Sequence, residues 1–117
     1  MTVERLLQCE FPIPMTGDRD LSSGEAHSYL EWEWLTDQLL TRFVGRSLLR
    51  CPVDGCWTDP DTSRRVDDSS RWYKVAVLES HLDSLRELLM DCCDVFHQKM
   101  IYLSIAGIVE FIERRKE

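Results

Sequence analysis

The sequence predicts an α+β sandwich in the order β-α-β-β-α-β. Three observations carry that prediction. Trp72–Leu78 alternates with period 2, Leu82–Phe96 then repeats with helical spacing, and a second strand pattern follows at Met100–Ile105. The first half of the chain shows the same order of patterns. The third observation is size: 117 residues, 44% apolar and 30% charged, suit one ordinary core and therefore a single domain over 1–117. Strands that alternate with two helices in this order form an antiparallel sheet carrying both helices on one face, the ferredoxin-like arrangement.

Leu7, Cys9, Phe11 and Ile13 alternate with Gln8 and Glu10, which makes residues 3–13 a half-buried strand. Pro12 and Pro14 limit its far end, because each removes a ladder donor. The turn-rich stretch 16–24 reads as a loop. Ser22 stands three before Glu25, a capping-box spacing that predicts a helix over roughly 25–43. Trp32, Leu35, Leu39 and Phe43 form its apolar stripe, and Gly45 is placed to end it.

Leu49, Cys51 and Val53 alternate in a second strand over 47–53. Asp54-Gly55 then predicts a type I′ turn, with Cys56-Trp57-Thr58 returning alongside as an extra hairpin near 54–66. Residues 59–70 are polar, contain Pro60 and read as an exposed loop. The third strand spans 71–79. Ser80 is expected to cap the second helix, with Asp83 placed near the positive end of its dipole. The last strand runs over about 99–106 to Gly107. Residues 108–113 fit either a strand or a short helix.

Several short motifs resemble a family of small bacterial proteins of unknown function. They are Arg42-Phe43, Gly45, Gly55-Cys56-Trp57, Asp68-Ser69-Ser70, Val75-Ala76-Val77 and Phe96-His97-Gln98. The chain departs from that pattern at Arg46, where a second small residue usually stands, and at Asp68, where Glu is more usual. The resemblance implies a ferredoxin-like fold and supplies no activity.

The net charge is −7, with −6 over residues 1–41, +2 over 42–74 and −3 over 75–117. Such a balance disfavours nucleic acid and anionic membranes as partners. No apolar run is long enough to span a bilayer, and the first residues lack a basic head and long apolar core. Five cysteines, an odd number with no secretion signal, point to reduced thiols and a cytoplasmic protein.

No motif specifies a reaction, and no cofactor is expected. Placing both helix starts at the same end of the sheet would bring His27 and His81 together, beside Glu25, Glu79 and Asp83. Two imidazoles with carboxylates suit a divalent metal or acid–base chemistry, against the plainer reading of two separate exposed histidines. Cys51, Cys56, Cys92 and Cys93 have poor zinc spacing, while Cys9 and Cys51 on apolar strand faces and Cys92 in the helical stripe read as packing residues. Cys93 and His97 stand at i and i+4, but Asp91 and Asp94 oppose a thiolate there. Arg64, Arg65 and Arg71, with Trp57 and Trp72, would flank the 59–70 loop and hold a small anionic ligand. The plainer alternative is solvated charge that offsets the neighbouring aspartates.

The strongest functional expectation concerns the helix-free face of the sheet. Trp72, Ala76, Leu78, Met100 and Tyr102 fall there, with Lys74, and form too apolar a set to face water. A second copy of the chain is the simplest cover. Burying roughly 600 Å² there would contribute about 15 kcal/mol before association costs. Alternatively, Ile108–Ile112 would fold back over the face. The sequence therefore reads as a self-associating, non-catalytic module for a small ligand or a protein. The alternative is a small enzyme or metal-binding protein with its site near His27 and His81.

Overall fold

The computed structural model describes residues 4–43 and 48–116, leaving aside the side chains of 48–55, 57 and 66–68; Gly45, expected to end the first helix, lies outside the described residues. The chain runs β1 (Leu6–Pro14), α1 (Tyr29–Arg42), β2 (Leu48–Thr58), β3 (Arg65–Leu78), a 3₁₀ turn (Glu79–His81), α2 (Leu82–Val95), β4 (Met100–Ile105) and β5 (Ile108–Glu113). Among the described residues these strands form one five-stranded sheet, ordered β2-β3-β1-β4-β5, with every pairing antiparallel. The first four strands have the ferredoxin-like order, and β5 extends it at one edge. No described helix is long and apolar enough to cross a membrane.

The core follows from strand alternation meeting two helical stripes. Phe11, Ile13, Tyr73, Val77 and Leu103 from the strands are fully buried with Leu35 of α1 and Leu85, Leu88 and Leu89 of α2. Phe11 and Tyr73 stack across β1 and β3 with ring centroids 5.2 Å apart. Each fully buried side chain of this size contributes roughly 1.5–3 kcal/mol over exposure.

Helix α1 begins later than Ser22 and Glu25 suggest. Ser28 is the cap: its hydroxyl accepts from the Glu31 amide while the Glu31 carboxylate accepts from the Ser28 amide. Ser22 is engaged elsewhere, its hydroxyl bonded to the Asp18 carbonyl and the Gly24 amide.

The Asp54-Gly55 turn does not form. Asp54 pairs with Ser69 and Gly55 with Asp68, so β2 continues straight through. The chain reverses at 59–64 instead, where the Asp59 amide donates to the Arg64 carbonyl at 2.9 Å and the Asp59 carboxylate takes the Asp61 amide at 2.8 Å. A turn at 54–55 would forgo most of the eleven β2–β3 pairs, and one favourable dipeptide does not offset them. The hairpin expected near 54–66 is therefore the outer end of one long β2–β3 ribbon. Beyond the Pro14–Ser70 pair and the Met15 amide on the Ser69 carbonyl at 2.8 Å, no third strand flanks this ribbon among the described residues. Its register sets Leu49, Cys51 and Val53 opposite Lys74, Trp72 and Ser70, rather than level with Tyr73, Val75 and Val77.

Residues 108–113 resolve as a strand. Ala106 (φ 50°) and Gly107 (φ 87°) make a tight two-residue turn, and β5 pairs along β4 from Ile105–Ile108 to Met100–Glu113. Ile112 joins the core, and Glu110 meets Arg86 of α2 at 2.6 Å.

Candidate functional site

The helix-free face is the site with the most to explain. Trp72, Ala76 and Leu78 of β3 and Met100 and Tyr102 of β4 all lie on it and all are half-buried. β5 does not cover this face; lying beside β4 in the plane of the sheet, it widens it. Val109 and Phe111, 45% and 60% exposed, continue the patch, and Leu6 of β1 adds another exposed apolar side chain at 54%. An aromatic row crosses the sheet. Trp72 reaches past β1 to Tyr102 at 5.9 Å, and Tyr102 meets Phe111 edge-on at 5.9 Å. Polar groups at its margin are already paired: the Trp72 indole donates to Glu10 at 3.4 Å, and Lys74 lies 3.3 Å from the same carboxylate. The signal for Val109 and Phe111 was present in the alternation of IVEFIE, but a strand and a short helix fit those six residues equally well.

The two histidines do not meet. Helix α1 follows β1, and α2 follows β3. Since β1 and β3 are antiparallel neighbours, the helices start at opposite ends of the sheet. His27 sits by Pro14, whereas His81 follows Leu78, which pairs with Leu6. The length of β1, roughly 25 Å, separates them. His27 is also committed: its Nε2 donates to the Pro14 carbonyl at 2.9 Å, so Nε2 carries the proton in the neutral ring. Among the described residues no group of three or more His, Cys, Asp or Glu is placed to hold a metal ion.

His27 instead belongs to an aromatic cluster under the start of α1. Its ring packs edge-on against Phe96 at 4.9 Å and Trp32 at 5.4 Å, and the Arg71 guanidinium lies 4.1 Å over the Trp32 ring. Burial pushes the His27 pKa below the ordinary 6.5, outweighing the Pro14 carbonyl and Glu31, which favour the cation. A folded-state pKa below the unfolded value means that acid protonates the unfolded chain first. Stability is therefore complete above about pH 6.5 and falls as pH drops below it. Thermal melts across that range should show this decline in the wild type and a flatter profile in His27→Gln. An identical slope in both proteins would remove His27 as its source.

The arginine and tryptophan candidates are divided rather than gathered. Arg71 lies on the helix side over Trp32, while Trp72, the next residue, lies on the open face. Arg64 and Arg65 are exposed at the far tip of the ribbon. Trp57 pairs with Val66 in that ribbon, and its side chain lies outside the described set. The three buried thiols, Cys9, Cys92 and Cys93, are equally unsuited to nucleophilic work. Burial pushes the Cys9 thiol up to about 11 and the Cys93 thiol up to about 12, and raises Cys92 as well. Cys93 donates to the Ile112 carbonyl at 3.7 Å; it packs the helix onto β5. Cys51 lies outside the described side chains, and Cys56 is exposed on the ribbon.

One constellation escaped sequence analysis. Lys99, just before β4, places its ammonium 2.6 Å from Asp20, 2.8 Å from Asp61 and 3.2 Å from Asp59. These bonds, led by Asp20 and Asp61, raise its pKa well above the ordinary lysine value. No spacing rule links positions 20, 59, 61 and 99; only the fold assembles them.

No protein-family model and no curated protein matches the chain. Among solved structures, it is similar over nearly its whole length to a phage SAM lyase in complex with S-methyl-5′-thioadenosine. The TM-score is 0.64 at 14% identity, covering 97% of this chain and 96% of that one. A likeness at this identity establishes the shared fold.

Proposed function

We propose that the protein is a self-associating ferredoxin-like module that binds a small ligand, with two copies meeting through their open sheet faces. The aromatic row Trp72–Tyr102–Phe111, widened by Val109 and Leu6, carries this reading. A two-fold contact between such faces removes the patch from water and leaves the Glu10–Lys74 pair, already formed within one copy, at its margin. An odd number of cysteines, four of them free, suits a reducing compartment such as the cytoplasm.

The whole-length likeness suggests the class of ligand: an adenine nucleoside carrying a thioether or sulfonium group. The same likeness favours a second reading, a small enzyme acting on S-adenosylmethionine, although the sheet-end histidines are too far apart to serve it together.

Light scattering behind gel filtration tests the assembly, with a mass of twice 13.8 kDa expected. A sharp monomer at micromolar concentration would remove the dimer. Calorimetric titration with S-methyl-5′-thioadenosine tests the ligand class. Saturable binding with one site per copy is expected, and no heat at millimolar ligand would exclude it. Incubation with S-adenosylmethionine separates the two readings: appearance of S-methyl-5′-thioadenosine favours the enzyme, and binding without turnover favours the module.

A further inference from the structure

The β2–β3 ribbon leaves the sheet after the Pro14–Ser70 pair, yet its tip does not stand free in solvent. Asp59, in the reversing turn, is only 6% exposed. It has two tasks: its carboxylate takes the Asp61 and Thr62 amides to build the turn, and it also meets the Lys99 ammonium. Asp61 brings a second carboxylate from the turn, and Asp20 brings a third from the loop between β1 and α1. Lys99 is firmly placed to receive them, because its carbonyl accepts from the Arg114 amide at 2.9 Å beside β5. The loop is held too, with the Asp18 amide donating to the His97 carbonyl at 2.8 Å.

We propose that Lys99 is a charge latch that holds the ribbon arm down against the end of the sheet. One ammonium, 13% exposed, joins three carboxylates from two separate segments. With it, arm and loop attract a common cation. Without it, Asp59 and Asp61 on the arm face Asp20 on the loop, and like charges push the two segments apart. The interaction therefore changes sign rather than merely weakening. The arm lifts as a unit, hinged beyond Ser69, whose carbonyl is the last to be held from the β1 side, by the Met15 amide at 2.8 Å, and carries the exposed Arg64–Arg65 pair with it.

Hydrogen exchange and limited tryptic cleavage of the full chain test the latch. In Lys99→Met, amide exchange across 59–64 should rise about tenfold, the factor for losing one charge-assisted bond. Cleavage after Arg64 and Arg65 should quicken in parallel, while α2 amides keep their wild-type rates. Unchanged exchange and cleavage at the tip would overturn the proposal. So would α2 exchange rising in step with the tip, because the whole fold would then be loosening. Should Lys99→Met not fold, Asp61→Asn, at a 67% exposed side chain, and Lys99→Arg decide instead. Asp61→Asn should speed exchange at the tip and Lys99→Arg should leave it near wild type; no change in Asp61→Asn would end the idea.

Discussion

Under the proposed pairing, replacing Phe111 with Asp should separate the copies and leave each one folded. Phe111 lies 60% exposed at the edge of the aromatic row, so the single chain loses little by the change. The assembly loses more: the burial of an aromatic side chain, roughly 1.5–3 kcal/mol, and it must also desolvate a carboxylate. Association should weaken by at least about a hundredfold. Light scattering should then show 13.8 kDa where the wild type shows a multiple of it. The denaturation midpoint of the variant, measured as a monomer, should stay within about 0.5 kcal/mol of wild type. Leu30→Asp is the matched control, since Leu30 is 77% exposed but lies on α1, away from the sheet; it should leave the mass unchanged. An unaltered mass in Phe111→Asp would move the interface elsewhere.

Phe96→Ala should be the most damaging single truncation at the sheet end. Phe96 is fully buried where α2 finishes, and it touches His27, Trp32 and Trp34 at 4.9, 5.0 and 6.3 Å. Emptying that position costs about 3–5 kcal/mol, because three rigid rings cannot collapse into the space. Urea unfolding measures it directly. A loss under about 1 kcal/mol would mean that the cluster repacks freely and does not anchor α1 to α2.

Both predictions rest on features of different legibility. The core stripe of α2 was readable as Leu85, Leu88, Leu89, Cys92 and Phe96, because helical periodicity is a local property of the chain. The open face was readable from the same logic applied to β3 and β4. Its extension through β5 was not, since six residues of mixed pattern do not distinguish strand from helix before a partner strand is in place. The Asp54-Gly55 turn misled for a related reason. A dipeptide states a local preference, and eleven ribbon pairs outweigh it. Ser22 and Glu25 likewise had the spacing of a cap, but Ser28 and Glu31 took that role once Ser22 was held by Asp18 and Gly24.

The site residues divide along the same line. His27 and His81 each stand at the start of a helical stretch, which is local information. Whether they meet depends on the relative direction of β1 and β3, which is not. Arg71 and Trp72 are adjacent in sequence and on opposite faces of one strand, so adjacency there guarantees separation. The Lys99 latch reverses the case: four residues spread over eighty positions converge on one ammonium.

The amino-acid sequence alone determined the α+β class, the order of elements as far as β4, the apolar stripes and the excess of greasy side chains on one side of the sheet. All of these are written in periodicities of two and 3.6 residues. Tertiary structure decided where the chain reverses, which ends of the helices share a side, and which distant charges pair. Those depend on strand register and direction, and register is set by the sum of many pairings that no short window of sequence contains.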